Sequence, residues 1–388
     1  MPHSFTIKVK TLTPLWTGGV NGTSNQLHIS GLIGSMRYWY EAIVRGMGRY
    51  ACDPSSQACI YDPELGKQSV CAACYLFGTT GWARLFRMNT TSIQTVPLHF
   101  RSSLNFNRTW LEMIFEGRES EREQNNPQRK LQVQTVLFGS VDLQFVARGI
   151  DSTYAQQQCL LLLTLLEQYA GIGAKQQFGF GQFCTEQLDE TALPNGITSL
   201  YEYLPHFLHA DGPDKERVHG GKYKSGLEVP AANMKDFFSL TFTLKRNTAQ
   251  RFISATAIPS FAQGDSEYIP IAFDIRYKSV DPALRTGFDL KGWNSAQLNA
   301  LMGAAAKKGE TIPEDKRSAS RIFVSMPFKR DNQYRCHIYG FALPDIETTS
   351  GFLTPETVLA QCKEILQDMI DGPFEEKMGS ELVKKVAR

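Results

Sequence analysis

An α+β fold is predicted for this 388-residue chain from three observations. Residues 5–15 open with alternation, apolar Phe5, Ile7 and Val9 against polar Thr6, Lys8 and Lys10, the period of a half-buried strand. Residues 152–170 carry a leucine-rich run, Cys159 to Leu163, whose apolar content suits a helix buried on most sides. Alternation then returns around 130–148, through Val133, Val136, Phe138, Val141, Leu143 and Phe145.

Taken in order, strand 5–15 leads to a helix over 31–47 that opens on Ser30 and Gly31. A cysteine-bearing insertion spans 52–76, and strands follow around 83–101. The charged stretch 116–130, with Asn125-Asn126-Pro127 inside it, reads as a mobile loop. Strand 130–148, helix 152–170 and strand 181–188 complete a β-α-β-β-α-β order, which is the ferredoxin-like or RRM-like arrangement. Glycines, proline and charges over 209–229 mark a linker, placed at 205–232. Strand patterning restarts at 237–245, a hairpin over 321–341 turns at Asp331-Asn332, the polar stretch 307–320 reads as a loop, and 354–369 reads as a helix. The fold predicted is therefore two ferredoxin-like (RRM-like) α+β domains, 1–204 and 233–388, with a cysteine-bearing insertion in the first.

Apolar residues at 42% and charged residues at 21% are those of a globular protein. Strand-like sequence starts at once, so no secretory leader is read, and no apolar run reaches the length of a membrane span; a cytoplasmic location is expected. The net charge of +2 says little about nucleic acid, but its distribution says more. Residues 1–110 hold ten Lys/Arg against four Asp/Glu, and the remainder holds 31 against 35. A basic first half with an acidic-leaning second half fits an RNA-facing domain joined to a protein-facing one.

The glycine loop Gly171-Ile172-Gly173-Ala174-Lys175-Gln176-Gln177-Phe178-Gly179-Phe180-Gly181 is the densest motif. Paired glycines admit positive φ and close approach of a ligand to consecutive N–H groups. Its spacing does not fit a dinucleotide fingerprint, which also needs a preceding strand, and the Gly-Lys-Ser/Thr of a Walker loop is absent. A helix-to-strand loop carrying Lys175, Gln176 and Gln177 suits a polyanion; the alternative is a turn that merely ends a helix. The Ser30-to-Arg37 helix start, with Gly34 and Ser35, is a second anion-compatible feature.

Cys52, Cys59, Cys71 and Cys74 fall within 23 residues, and the last two form Cys-x-x-Cys, a hook for a tetrahedral metal. Structural zinc would tie down an insertion rich in turn residues. Disulfides do not fit a chain without a secretion signal, a redox pair lacks the thioredoxin pattern, and four unrelated thiols remain an alternative. Cys159, Cys184, Cys336 and Cys362 read as ordinary thiols.

Together, the first strand, the Gly-Ser-x-Arg helix start and the Gly-x-Gly-x5-Gly-x-Gly loop resemble the RAMP superfamily of CRISPR RNA-binding proteins. More narrowly, Leu12 to Gly19, Arg37 to Ala42 and Leu76 to Arg84 resemble the first-numbered subunits of type III-B (Cmr) effector complexes; past about Leu204 no motif carries the likeness. The resemblance implies a non-catalytic subunit that holds guide RNA near its 3′ end together with target RNA, beside other effector subunits, in antiviral defence. The candidate RNA contacts are Gly34, Ser35, Arg37, Arg45, Trp82, Arg84, Gly171, Gly173, Lys175, Gln176, Gln177, Gly179 and Gly181. Trp82 is the candidate for base stacking, whereas Trp39, between Tyr38 and Tyr40 in a helix, reads as core.

Some RAMP relatives are metal-independent endoribonucleases, so processing of guide precursor is a second reading. Only His28 lies suitably, ahead of the Ser30-Gly31 helix start, and it has no titrating neighbour in sequence. His99 reads as structural, His206, His209 and His219 are too loosely spaced, and no catalytic loop aspartate is identifiable, Asp53 being a bare candidate. No catalytic residue is assigned. A third reading is a zinc-stabilised module whose contacts are with protein.

Overall fold

The computed structural model describes residues 3–18, 24, 26–53, 58–103, 130–186, 188–189, 191–208, 219–222, 228–245, 272, 275–276, 284–303, 320–349 and 351–385. The charged stretch read as a loop, 116–129, and the loop at 307–319 lie outside them. Strand β1 (Ser4–Thr11) is followed by α1 (Ile29–Gly46), the short α2 (Ala72–Phe77), the long strands β2 (Phe86–Ser103) and β3 (Lys130–Ala147), α3 (Ser152–Tyr169) and β4 (Phe183–Thr185). These strands form one antiparallel sheet in the order β2-β3-β1-β4. Ile7 faces Leu143 and Val9 faces Val141 across β1 and β3. Both pairs are buried against α1 and α3, while Thr6, Lys8 and Lys10 are more exposed, as alternation demands.

A further helix, α4 (Ala192–Tyr203), follows β4; the sequence patterning does not predict it. Pro194 lies in its first turn, where a missing N–H costs nothing. Gly196 is needed for contact: a Cβ there would lie 2.5 Å from Leu161 Cβ of α3. Two residues that read as helix breakers thus let α4 start and pack. In the region read as a linker, Phe207 is buried in the first core beside Leu204, and β5 (His219–Lys222) pairs with β6 (Glu228–Pro230).

The second half contains β7 (Phe237–Thr243), α5 (Leu284–Leu290), α6 (Ser295–Met302), β8 (Ile322–Val324), β9 (Phe328–Arg330), β10 (Gln333–Phe341), β11 (Leu343–Thr348), β12 (Gly351–Leu353), α7 (Pro355–Leu366), β13 (Glu375–Met378) and α8 (Gly379–Leu382). Its main sheet runs β13-β7-β10-β8, with β9 also on β10. In both sheets the last strand sits beside the first, and the third on that path separates the first from the second. Asp331 and Asn332 take φ of 51° and 61°, the primed hairpin turn that their residue types favour. Thr354 caps α7 by accepting from the Thr357 amide.

Strand β7 is buried on both faces. Phe238, Leu240 and Phe242 belong to a core with α7, whereas Phe237, with Tyr339 and Phe341 of β10, belongs to the core of the first half. Trp39 of α1 packs there, with ring centroids 5.6 Å from Phe237 and 5.3 Å from Phe341. Trp39 is core, as its sequence setting predicts. Among the described residues no helix is long and apolar enough to cross a membrane.

Candidate functional site

Helix α1 positions both motifs singled out in the sequence. At its N-terminal end, the chain leaving β1 crosses the first turn so closely that a Cβ on Gly31 would lie 2.4 Å from Thr17 O. Ser35 Oγ accepts hydrogen bonds from the Gly173 amide at 3.1 Å and from Gln176 Nε2 at 3.2 Å, docking the glycine loop onto the helix. The Gln176 carboxamide also accepts from Tyr339 Oη at 3.0 Å, so the loop touches the second sheet too.

The glycines of the loop serve close packing. A Cβ on Gly181 would fall 2.1 Å from Ile172 O, on Gly173 2.7 Å from Trp16 O, on Gly179 2.5 Å from Met326 N, and on Gly171 2.8 Å from Tyr339 Oη. Gly173, Gly179 and Gly181 also hold positive φ. The amides of Ile172, Ala174 and Gly181 donate to Gly181 O, Trp16 O and Pro14 O, and that of Gln182 to Thr13 Oγ1. These N–H groups are spent within the protein, unlike a ligand nest. What the loop turns outward is Ala174 and, in part, Lys175, Gln177 and Phe178. Lys175 has φ 56°, and its Nζ lies 3.5 Å from the Trp16 ring centroid. Burial pulls its pKa down to about 8. Gly34 is open, with nothing within 4 Å of the point where a Cβ would stand.

Behind the loop lies a buried polar joint that sequence patterning does not reveal. His337 Nδ1 sits 3.1 Å from Gln182 Oε1 and its Nε2 2.7 Å from Ser239 Oγ. Because Gln182 Nε2 donates to Ala170 O, its Oε1 accepts, so Nδ1 carries the proton and Ser239 donates to Nε2. Burial holds the imidazole neutral, with a pKa pulled down to about 3. Partners this far apart in sequence leave no local signal.

Further along α1, Arg37, Glu41 and Arg45 recur at four-residue spacing and face the cysteine insertion. The four sulfurs of Cys52, Cys59, Cys71 and Cys74 all lie within 4.8 Å of one another. Cys71 caps α2 and accepts from the Cys74 amide at 3.5 Å. Arg37 Nη2 donates to Cys74 Sγ at 3.1 Å, Nη1 to Gly78 O at 3.0 Å and Nε to Glu41 at 2.8 Å. Arg45 donates to Ala51 O, Cys52 O and Ala232 O. Hydrogen bonds from the other three thiols, and then the Arg37 charge, hold Cys74 far below the usual thiol range, while the same thiol contacts push Cys71 up. Burial raises Glu41 against the pull of both arginines. A tetrahedral metal with sulfurs about 2.3 Å away needs sulfur–sulfur separations near 3.8 Å, and the present set fits it.

Trp82, partly exposed, packs its ring on Tyr75 and Tyr61, with centroids 5.0 and 4.6 Å away, and donates Nε1–H to Tyr75 O. It roofs the insertion, with Arg84 beside Gly78. A second cluster missed in the sequence fastens this roof to α3: Asp151 accepts from Lys67 at 2.8 Å, from Tyr203 at 3.1 Å and from Tyr75. His28 is the N-cap residue of α1; its amide donates to Thr17 Oγ1, and its Nε2 is buried with no hydrogen-bond partner among the described residues.

Residues 8–184, just under half of the chain, match the model of the RAMP superfamily. The matched span contains α1, the cysteine insertion and the whole glycine loop, so the likeness read from those motifs holds where they lie. No curated protein matches the sequence. Among solved structures, Cmr1 from Pyrococcus furiosus in its apo form is 14% identical, with a TM-score of 0.43 over 97% of this chain and 99% of that one. A chain of the Type III-B Cmr-beta complex bound to cognate target RNA and AMPPnP, in the presence of ssDNA, is 11% identical, with a TM-score of 0.43 over 95% of this chain and 100% of that one. One from the same kind of complex bound to cognate target RNA is 11% identical, with a TM-score of 0.38 over 94% and 99%. At such identities and TM-scores the likeness itself carries nothing about what this chain binds.

Proposed function

We propose that this chain is a non-catalytic RNA-binding subunit of a type III-B CRISPR effector complex, holding the 3′ region of guide RNA together with target RNA. The observation that carries this reading is the RAMP match over 8–184. Its support is the charge balance, ten basic against four acidic residues over 1–110. The surface proposed for RNA runs from the open helix face at Gly34 to Lys175 and Gln177 on the glycine loop. Lys175 meets phosphate as a point charge; its partial burial beside Trp16 means a small movement of one side chain brings the ammonium to a strand. The like strand orders of the two sheets support reading both halves as ferredoxin-like.

The cysteine cluster is read as a structural zinc site held by Cys52, Cys59, Cys71 and Cys74. Zinc there would close the insertion as a tetrahedral crosslink, with no open position for chemistry. The non-catalytic reading rests on inventory: general acid–base cleavage needs two groups converging on one phosphate, and the sequence around His28 offers no second titrating group.

Lys175→Glu tests the surface. It is expected to weaken RNA binding whatever the sequence and to lower the slope of log affinity against log salt by about 1, with the fold unchanged. Equal affinities at low and moderate salt would remove the loop from the RNA surface.

A further inference from the structure

We propose that Arg37 is the charge partner of a metal held by Cys52, Cys59, Cys71 and Cys74, a positioning residue that sets metal affinity and makes no contact with RNA. This rests on the zinc reading above. The guanidinium reaches two of the four sulfurs, Cys74 at 3.1 Å and Cys52 at 3.9 Å. Its other donors end on Gly78 O, at the carboxyl end of α2, and on Glu41. All three nitrogens of Arg37 therefore have protein acceptors, and its side chain is only 17% exposed. Four of its five N–H groups are spent on these acceptors, which leaves a single N–H, on Nη1, for any other partner.

The electrostatics explain why an arginine stands here. A divalent metal with four thiolates carries a net charge of about −2, and a buried charge without a counter-charge is costly. Arg37, Glu41 and Arg45 together supply one net positive charge along a single stripe of α1. The Cys74 amide adds a hydrogen bond to Cys71 Sγ. Arginine cannot lose its proton in response to burial, so the compensation is permanent. The planar fork also fixes where Cys74 sits relative to Gly78, because one of its nitrogens binds within α2 and another just past its end.

The test measures zinc affinity by chelator competition, and the charge-transfer spectrum of the cobalt-substituted protein, for wild type, Arg37→Met and the exposed control Arg330→Met. Arg37→Met is expected to keep the tetrathiolate spectrum and lose about 10–100-fold in affinity, while the control matches wild type. At saturating zinc its RNA affinity is expected to equal that of wild type. Unchanged zinc affinity in Arg37→Met would overturn the role, as would normal zinc affinity with a tenfold loss in RNA binding. If Arg37→Met does not fold, Arg37→Gln, which drops the charge and keeps donors, reads the same quantity against the same limits. A wild-type chain that binds no metal fails the zinc reading itself; a metal-loaded wild type with an equally tight Arg37 variant fails this inference alone.

Discussion

The two attachments on α1 are built in opposite ways. At its N-terminal end the glycine loop is held by what its residues lack: a Cβ at Gly171, Gly173, Gly179 or Gly181 would meet main-chain or ring-hydroxyl atoms at 2.1–2.8 Å. Midway along, the cysteine insertion is held by what the helix adds, the guanidinium groups of Arg37 and Arg45 reaching thiols and carbonyls. A glycine motif thus reads as a ligand cradle in sequence and acts as a joint in space. Arginines that read as RNA contacts, Arg37 and Arg45, donate to thiols, carbonyls and Glu41 within the protein.

The largest effect expected from this contrast is at Gly181. Gly181→Ala sets a Cβ against Ile172 O at a φ of 89°, combining left-handed strain of about 1–2 kcal/mol with overpacking of about 1–3 kcal/mol. Urea unfolding should show a loss in that combined range or no folded protein; a stability within error of wild type would mean the loop is not a packed joint. The insertion should fail differently. Cys71→Ser is expected to lose bound zinc and to lower the melting temperature, and metal analysis of the wild type should find about one zinc per chain. A folded, fully reduced wild type with none would dismiss the crosslink.

Acid should act on the joint behind the loop. The folded pKa of His337, about 3, lies below its ordinary value of 6.5. Between those values the unfolded chain takes up the proton and the folded chain does not. Its contribution is therefore intact above pH 6.5 and is lost as pH falls toward 3, by about 1.4 kcal/mol per pH unit. His337→Gln should flatten that part of the stability profile; an unaltered slope would place the acid sensitivity elsewhere. The smallest effect expected is at Gly34, where the space is open. Gly34→Ala should stabilise the helix by about 0.5–1 kcal/mol, and a loss would show hidden crowding.

Strands β1 and β3 were legible because Ile7, Val9, Val141 and Leu143 alternate with polar neighbours and bury one face. The hairpin at Asp331-Asn332 was legible from its turn residues. The cysteine cluster was legible because its four cysteines are close in sequence. Helix α4 was not, since Pro194 and Gly196 carry a breaker signal whose tolerance depends on helix position and on Leu161. The roles of Arg37 and Arg45 were not legible either: residue type alone does not distinguish a cation facing solvent from one facing a thiol. The clusters around Asp151 and His337 join residues as far as 155 positions apart, beyond any local pattern.

The central claim is RNA binding without cleavage. It is tested most directly by incubating the purified wild-type chain with guide-like RNA in EDTA, measuring affinity across a salt series and resolving the RNA afterwards. The account predicts salt-dependent binding and intact RNA. Discrete products that disappear in His28→Ala, or no binding at any salt concentration alone or beside its neighbouring subunits, would contradict it.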